Sequence, residues 1–393
     1  MRTLLAALLV TLATAAGAAA AIPPDLSDDP LDRGTLLALP SVYRVDVVLH
    51  VDALRTAAGA RIALPAAARE LPSETGTAVA VAPGGWLVTA AHVAAPDDAT
   101  LARLARQSSL AVQDRAHGDA AAEDWVERTG AIPVGARAVV TVTQADAGAG
   151  STHSRTYPAV DVRRSDAVDL ALIRIDANTA PALEMDEAAS SGTAVATIGF
   201  GRGSTLDGPQ PGKMEPSIRR GTITRSGNLE DATGSRQAIL ISVPVERGDS
   251  GGPVIDTAGN VRGIVTQKTA HGGIAERATE VRRLLEENRI IPGSGHTAEA
   301  FREAMNALWR LDLAPAETGF TSTLASFPAH TLAGRERDRA QELAAGTFRL
   351  RAADWRGGVL LAVGVLALLA AAACAVALVR PFPGRSRRAA GGQ

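Results

Sequence analysis

Three short segments hold side chains that could act together on a carbonyl centre. Residues 76–93 read GTAVAVAPGGWLVTAAHV, an apolar run through the Gly84–Gly85 pair that ends on His92. Asp169 opens a second apolar run, Leu-Ala-Leu-Ile. Residues 248–254 read GDSGGPV and carry Ser250. An imidazole, a carboxylate and a hydroxyl are the parts of a nucleophilic relay. A serine hydroxyl attacks at neutral pH only if a base takes its proton, and imidazole titrates in the right range to take it and return it. A carboxylate on the far ring nitrogen fixes the tautomer and stabilises the imidazolium. Glycines around Ser250 allow a turn that aims the N–H groups of Gly248 and Ser250 at one point, where they can hold an oxyanion. Asp161 and Asp166 compete with Asp169 for the acidic role; the Leu-Ala-Leu run that follows favours Asp169.

Groups so far apart in sequence need a rigid frame. Short β-type runs recur at 43–50, 77–81, 86–89, 138–142, 170–175, 194–198, 221–224, 238–245, 254–255 and 261–266. Gly, Pro, Asp and Asn turns separate them, the pattern of a β-sandwich or a pair of barrels. Helices are expected at about 97–124 and 275–288, the latter with Val281, Leu284 and Leu285 on one face. Histidines 50, 117 and 153 read as strand and surface residues. No His or carboxylate cluster has metal-ligand spacing, so neither metal nor cofactor is implied.

TAAHV, DLAL and GDSGGP, in that order, resemble the signatures of the trypsin-like serine proteases. The resemblance covers about 43–291. It implies a mostly β fold of two six-stranded antiparallel barrels, and a serine endopeptidase that cleaves protein or peptide substrates through an acyl-enzyme. His92, Asp169 and Ser250 would be catalytic, and Gly248 and Ser250 would supply the oxyanion hole. TIGFG at 197–201 looks like the start of the second barrel, and GIVTQ at 263–267 like the strand lining the substrate cleft. By the same likeness Pro244, Val245, Thr266 and Gln267 line that cleft, which suggests a small or medium apolar side chain before the cut. The paucity of cysteine and the glycines before the 275–288 helix look closer to bacterial HtrA-type members, without room for a PDZ domain.

Some features depart from the family. The His92–Asp169 interval is long, which points to an inserted surface element at 97–134. Asp249 stands where HtrA proteins usually carry Asn; digestive enzymes use that carboxylate to bind a new N-terminal amine, yet no IVGG-like start precedes His92. A buried carboxylate needs a partner, such as Arg202. Residues 248–252 also satisfy the G-x-S-x-G pattern of α/β-hydrolases, but only His271, His296 and His330 follow the serine and the preceding region is strand-rich. A reading from another class is a catalytically silent, protease-like binding or sensing module of the cell envelope, its access blocked by the insertion.

Of 393 residues, 46% are hydrophobic and 21% charged, with a net charge of -2. That balance suits a globular chain and offers no basic surface for nucleic acid. The single cysteine, Cys374, excludes an intramolecular disulfide and a multi-cysteine zinc site. Residues 1–21 have the layout of a cleaved signal peptide, with an uncleaved anchor as the alternative. Residues 22–42 read as a linker and 292–356 as a helical stalk, with Phe301, Met305, Leu308 and Leu311 in a stripe. Residues 357–379 carry no charge and suit a transmembrane helix. Arg380, Arg385, Arg387 and Arg388 then place the 380–393 tail in the cytoplasm and the protease outside the cell membrane. Nothing in the sequence speaks to oligomeric state.

Overall fold

A computed structural model describes residues 28–64, 69–95, 125–144, 155–201, 216–231, 234–330 and 332–346. The expected signal peptide, the 97–124 helix, the 357–379 span and the basic tail lie outside the described residues. Among the described residues no helix is long and apolar enough to cross a membrane.

Among the described residues fifteen strands form, in chain order: β1 Val42–His50, β2 Ala53–Arg55, β3 Arg61–Ala63, β4 Glu70–Ala82, β5 Trp86–Ala90, β6 Ile132–Val134, β7 Arg137–Gln144, β8 Thr156–Arg164, β9 Leu170–Ile175, β10 Ala194–Gly199, β11 Ser217–Asp231, β12 Gly234–Ile241, β13 Pro253–Ile255, β14 Val261–Thr269 and β15 Gly272–Arg277. They close into two six-stranded antiparallel barrels, ordered β1-β4-β5-β9-β8-β7 and β10-β11-β12-β15-β14-β13. A small sheet, β3-β2-β6, stands apart from both, so the end of the expected 97–134 insertion forms β6.

The side-chain period of two explains how the barrels fill and meet. On β9, Ala171, Ile173 and Ile175 enter the first barrel's core with Val45, Val47 and Leu87. The alternate residues Leu170 and Leu172 join a second cluster with Val79, Val81 and Val88 and with Ile198, Ile255 and Ile264 of the other barrel. Both faces of β4, β5 and β9 are therefore buried, which is why their sequences read as unbroken apolar runs rather than as alternation. The second barrel encloses its own core, including Val195, Ile223, Ile239, Val254 and Val265.

The linker expected at 22–42 is corrected over its described part, where helix α1, Pro30–Ala38, forms. Asp29 caps it by accepting from the Leu31 N–H at 2.8 Å, Pro30 occupies the first turn, and Leu31, Leu37 and Ala38 are buried. His92 lies on a single turn, α2, Ala91–Ala94. The helix expected at 275–288 begins three residues later, as α3, Ala278–Glu287, with Val281, Leu284 and Leu285 buried as anticipated. Its first residues extend β15 instead.

The described part of the 292–356 segment, expected as a helical stalk, is helical. Helices α4, Gly295–Trp309, and α5, Leu313–Ser326, pack on each other through Phe301 and Phe320, with ring centroids 6.0 Å apart. The entry to α4 is tied to the first barrel by the Gly293 N–H on the Val81 carbonyl at 3.2 Å. The Ser294 N–H bonds Glu184 Oε1 at 2.9 Å, and Arg33 of α1 lies over the Trp309 ring. Phe301, Met305 and Leu308 are buried, but Leu311 ends the helix at positive φ and is exposed. His330 packs against Phe301 with the rings tilted and their centroids 4.4 Å apart, and its burial holds the imidazole down at about 3, so it is a neutral core residue. Phe301→Ala should therefore lower the stability of the fold by about 3–5 kcal/mol in chemical denaturation. A stalk independent of the barrels would leave barrel unfolding unmoved.

Candidate active site

The register of two neighbouring strands brings His92 to Asp169. β5 pairs with β9 through Ala90↔Leu170, so the residue after one strand and the residue before the other are neighbours. The Ala91 N–H donates to the Asp169 carbonyl at 3.1 Å, and the His92 N–H to Asp169 Oδ1 at 3.0 Å. The imidazole Nδ1 stands 2.6 Å from Oδ2, a contact satisfied by the tautomer with its proton on Nδ1. That arrangement leaves Nε2 as the basic nitrogen. Of the three candidate carboxylates, Asp169 meets the imidazole; Asp161 pairs with Arg163 at 2.7 Å and Asp166 is exposed.

Ser250 sits on the loop between β12 and β13, in the second barrel. Its carbonyl accepts from the Thr77 N–H of β4 at 2.8 Å. Gly76 lies where an added Cβ would meet both that carbonyl and the side chain of Val93, so the serine's backbone lies beside the turn that carries His92. The loop is too tight for other residues at two points. Gly248 has φ +104°, and a Cβ there would strike the Phe200 carbonyl. Gly251 has φ +86°, and a Cβ there would strike the Thr77 carbonyl. Among the described residues, the N–H groups of Gly248 and Ser250 have no acceptor, whereas those of Asp249, Gly251 and Gly252 bond Glu246, Val265 and Asp249.

Asp249 is held by Arg219, a residue that sequence reasoning missed. Arg219 comes from β11, opposite Thr197, and pairs with Asp249 Oδ2 and, at 3.0 Å, with Glu246. The Glu246 N–H also donates to Oδ2 at 2.8 Å. Oδ1 lies against Gly199 and Gly201, which accounts for both glycines of TIGFG. Burial pushes the Asp249 carboxyl up, against the pull of the Glu246 N–H and the guanidinium. Arg202, the partner expected from the sequence, lies outside the described residues.

The four expected cleft residues divide. Pro244 and Gln267 are exposed, while Val245 and Thr266 are each 3% exposed. Val245 packs in the second barrel's core with Ile241, Val243 and Ala275, so its lining role is corrected to a packing one. Among the described residues no group of three or more His, Cys, Asp or Glu side chains gathers as a metal site.

A second buried pair stands near the histidine–aspartate couple. Glu276 of β15, fully buried, lies 2.7 Å from the Arg236 guanidinium. Burial raises its carboxyl to about 7; Arg236 opposes the shift, and the charges of Asp169 and Glu280 add to it. Between about pH 4.5 and about 7 the folded chain thus holds a proton that the unfolded chain has lost. Stability contributed by this group is full at the acid end of that window and declines as pH rises through it. Relative to Glu276→Gln, the wild type should lose stability from pH 5 to pH 8 in denaturation series run across that range; a constant difference would contradict the raised carboxyl.

Residues 76–264 match the sequence model of a family described as trypsin-like peptidase domain. A curated protein of Sinorhizobium fredii (strain NBRC 101917 / NGR234), uncharacterized protein y4bJ, is 34% identical over 100 residues, 25% of this chain; the match spans 14% of that protein's length. Among solved structures, an inactive serine-to-alanine mutant of Rv3671c from M. tuberculosis H37Rv aligns at 19% identity and a TM-score of 0.40, over 68% of this chain and 94% of that one. The HtrA-type protease AlgW, solved with a decapeptide, aligns at 18% identity and 0.42, over 65% of this chain and 66% of that one. With TAAHV, GDSGGP and a pair of six-stranded barrels in place, residues 76–264 of this chain are a trypsin-like peptidase domain.

Proposed function

We propose that the chain is a serine endopeptidase of the cell envelope, acting through His92, Asp169 and Ser250. The observation that carries the reading is the 2.6 Å contact between His92 Nδ1 and Asp169 Oδ2. It sits on the barrel whose strand β4 also bonds the Ser250 carbonyl. In this reading His92 Nε2 takes the Ser250 hydroxyl proton as Oγ bonds to the scissile carbonyl carbon. The carbonyl oxygen, now an oxyanion, accepts from the N–H groups of Gly248 and Ser250. The imidazolium gives its proton to the leaving amine, the C–N bond breaks, and an acyl-enzyme remains on Ser250. Water, deprotonated by the same imidazole, releases the acid and restores the hydroxyl. Asp169 keeps the ring in one tautomer and balances its positive charge. The preference for a small or medium apolar residue before the cut rests on the Pro244 and Gln267 positions alone.

The membrane part of the proposal rests on sequence: a signal peptide at 1–21, a span at 357–379 and the arginine-rich tail put the peptidase domain outside the cell membrane, with protein or peptide substrates there. A fluorophosphonate probe should label the wild type and leave Ser250→Ala unlabelled. Equal resistance of the two would favour the silent binding or sensing module. In intact cells, added protease should remove the 23–354 region and spare the basic tail; protection of that region would reverse the orientation.

A further inference from the structure

Thr77 is fully buried on β4, yet it holds two points of the nucleophile loop and one of β10's far end in the other barrel. Its hydroxyl donates to the Gly248 carbonyl at 2.8 Å and accepts the Phe200 N–H at 3.0 Å. Its own N–H donates to the Ser250 carbonyl at 2.8 Å. Its carbonyl is held in turn by the Thr89 hydroxyl at 2.7 Å, so the residue is fixed on both sides.

The geometry of the peptide unit gives these contacts their consequence. A peptide is planar, so a bond to its carbonyl and a bond to its N–H together fix the orientation of the whole plane. The Gly248–Asp249 peptide is gripped by the Thr77 hydroxyl at its carbonyl and by Glu246 at its N–H, 3.1 Å. The Ser250–Gly251 peptide is gripped by the Thr77 N–H at its carbonyl and by Val265 at its N–H, 2.7 Å. The two peptides that alternate with these carry the Gly248 and Ser250 N–H groups, which have no acceptor among the described residues. Gly248, at φ +104°, has no side chain to resist rotation of its peptide. Resistance comes from outside, from the threonine hydroxyl.

We propose that Thr77 is a positioning residue of the peptidase site, its hydroxyl locking the Gly248 peptide in the orientation that presents the loop's two N–H donors to an oxyanion. This assignment rests on the catalytic reading above and adds a part contributed by the first barrel. One hydroxyl couples donor alignment to the docking of the barrels, since it bonds the second barrel from a strand of the first. Thr77→Val keeps the shape and removes the hydroxyl; Thr77→Ser keeps the hydroxyl.

The test uses the full-length protein in detergent, with a fluorophosphonate probe and p-nitrophenyl acetate, each of which places an oxygen where an oxyanion develops. Removing one donor outright costs about 100- to 1,000-fold, so loosening the loop should lower the labelling rate and kcat of Thr77→Val about 10- to 100-fold. KM should stay within about twofold, because the hydroxyl acts on the transition state rather than on ground-state binding. Thr77→Ser should return to within about threefold of wild type. If the valine protein fails to fold, Thr77→Cys replaces it: its thiol fits the serine's space but is a weak donor, and it should be impaired where serine is not. Valine or cysteine variants that label as fast as wild type would overturn the assignment, as would a serine variant as impaired as valine. A wild type that resists the probe would overturn the catalytic reading and this assignment with it, whereas a labelled wild type with an equally fast valine variant would overturn this assignment alone.

Discussion

Two apolar walls meet where the barrel that carries His92 and Asp169 packs against the barrel that carries Ser250. Leu170, Leu172, Val79 and Val88 on one barrel pack against Ile198, Ile255 and Ile264 on the other. Each such side chain, fully buried, contributes about 1.5–3 kcal/mol relative to exposure. His92 and Asp169 belong to the first barrel and Ser250 to the second. The seam also explains a local oddity of the sequence. Strands that face a core on one side and a partner barrel on the other lose the polar alternation of a surface strand, and the segments flanking the histidine and the aspartate are the ones that lose it.

The polar atoms near the site follow from the same burial. A charge buried in the second barrel needs a counter-charge. Asp249 finds Arg219, and Glu276 finds Arg236. The two pairs differ in what surrounds them. Asp249 adds a backbone N–H to its guanidinium, whereas Glu276 faces the negative charge of Asp169 and of Glu280. Burial raises both carboxyls, and it carries Glu276 up to about 7.

Much of this was legible in the letters. The apolar runs and their turns pointed to paired barrels, and His92 and Asp169 meet because the strands beside them pair in register. β8 was not legible: among its residues only Tyr157 is buried, so the strand lacks the periodic signal that burial writes into a sequence. The 22–42 and 292–356 segments read as connectors because their apolar residues are sparse and mixed with Pro, Asp and Ala. α1 and α4 nonetheless find surfaces on the barrels, and that complementarity is a tertiary property. Arg219 was hidden for a related reason. An arginine in a strand is ordinarily a solvent-facing residue, and only the fold shows which one lies over the aspartate. Val245 shows the reverse case, where position in an aligned motif suggested a cleft and packing placed it in a core.

The guanidinium over Asp249 has one more implication. Digestive members of the family rely on an ammonium group created by cutting the chain, and so they can be stored unfinished. Here the positive charge is encoded in β11 and arrives when that strand pairs with β10. The charge that pairs with Asp249 thus comes with the folding of the second barrel itself.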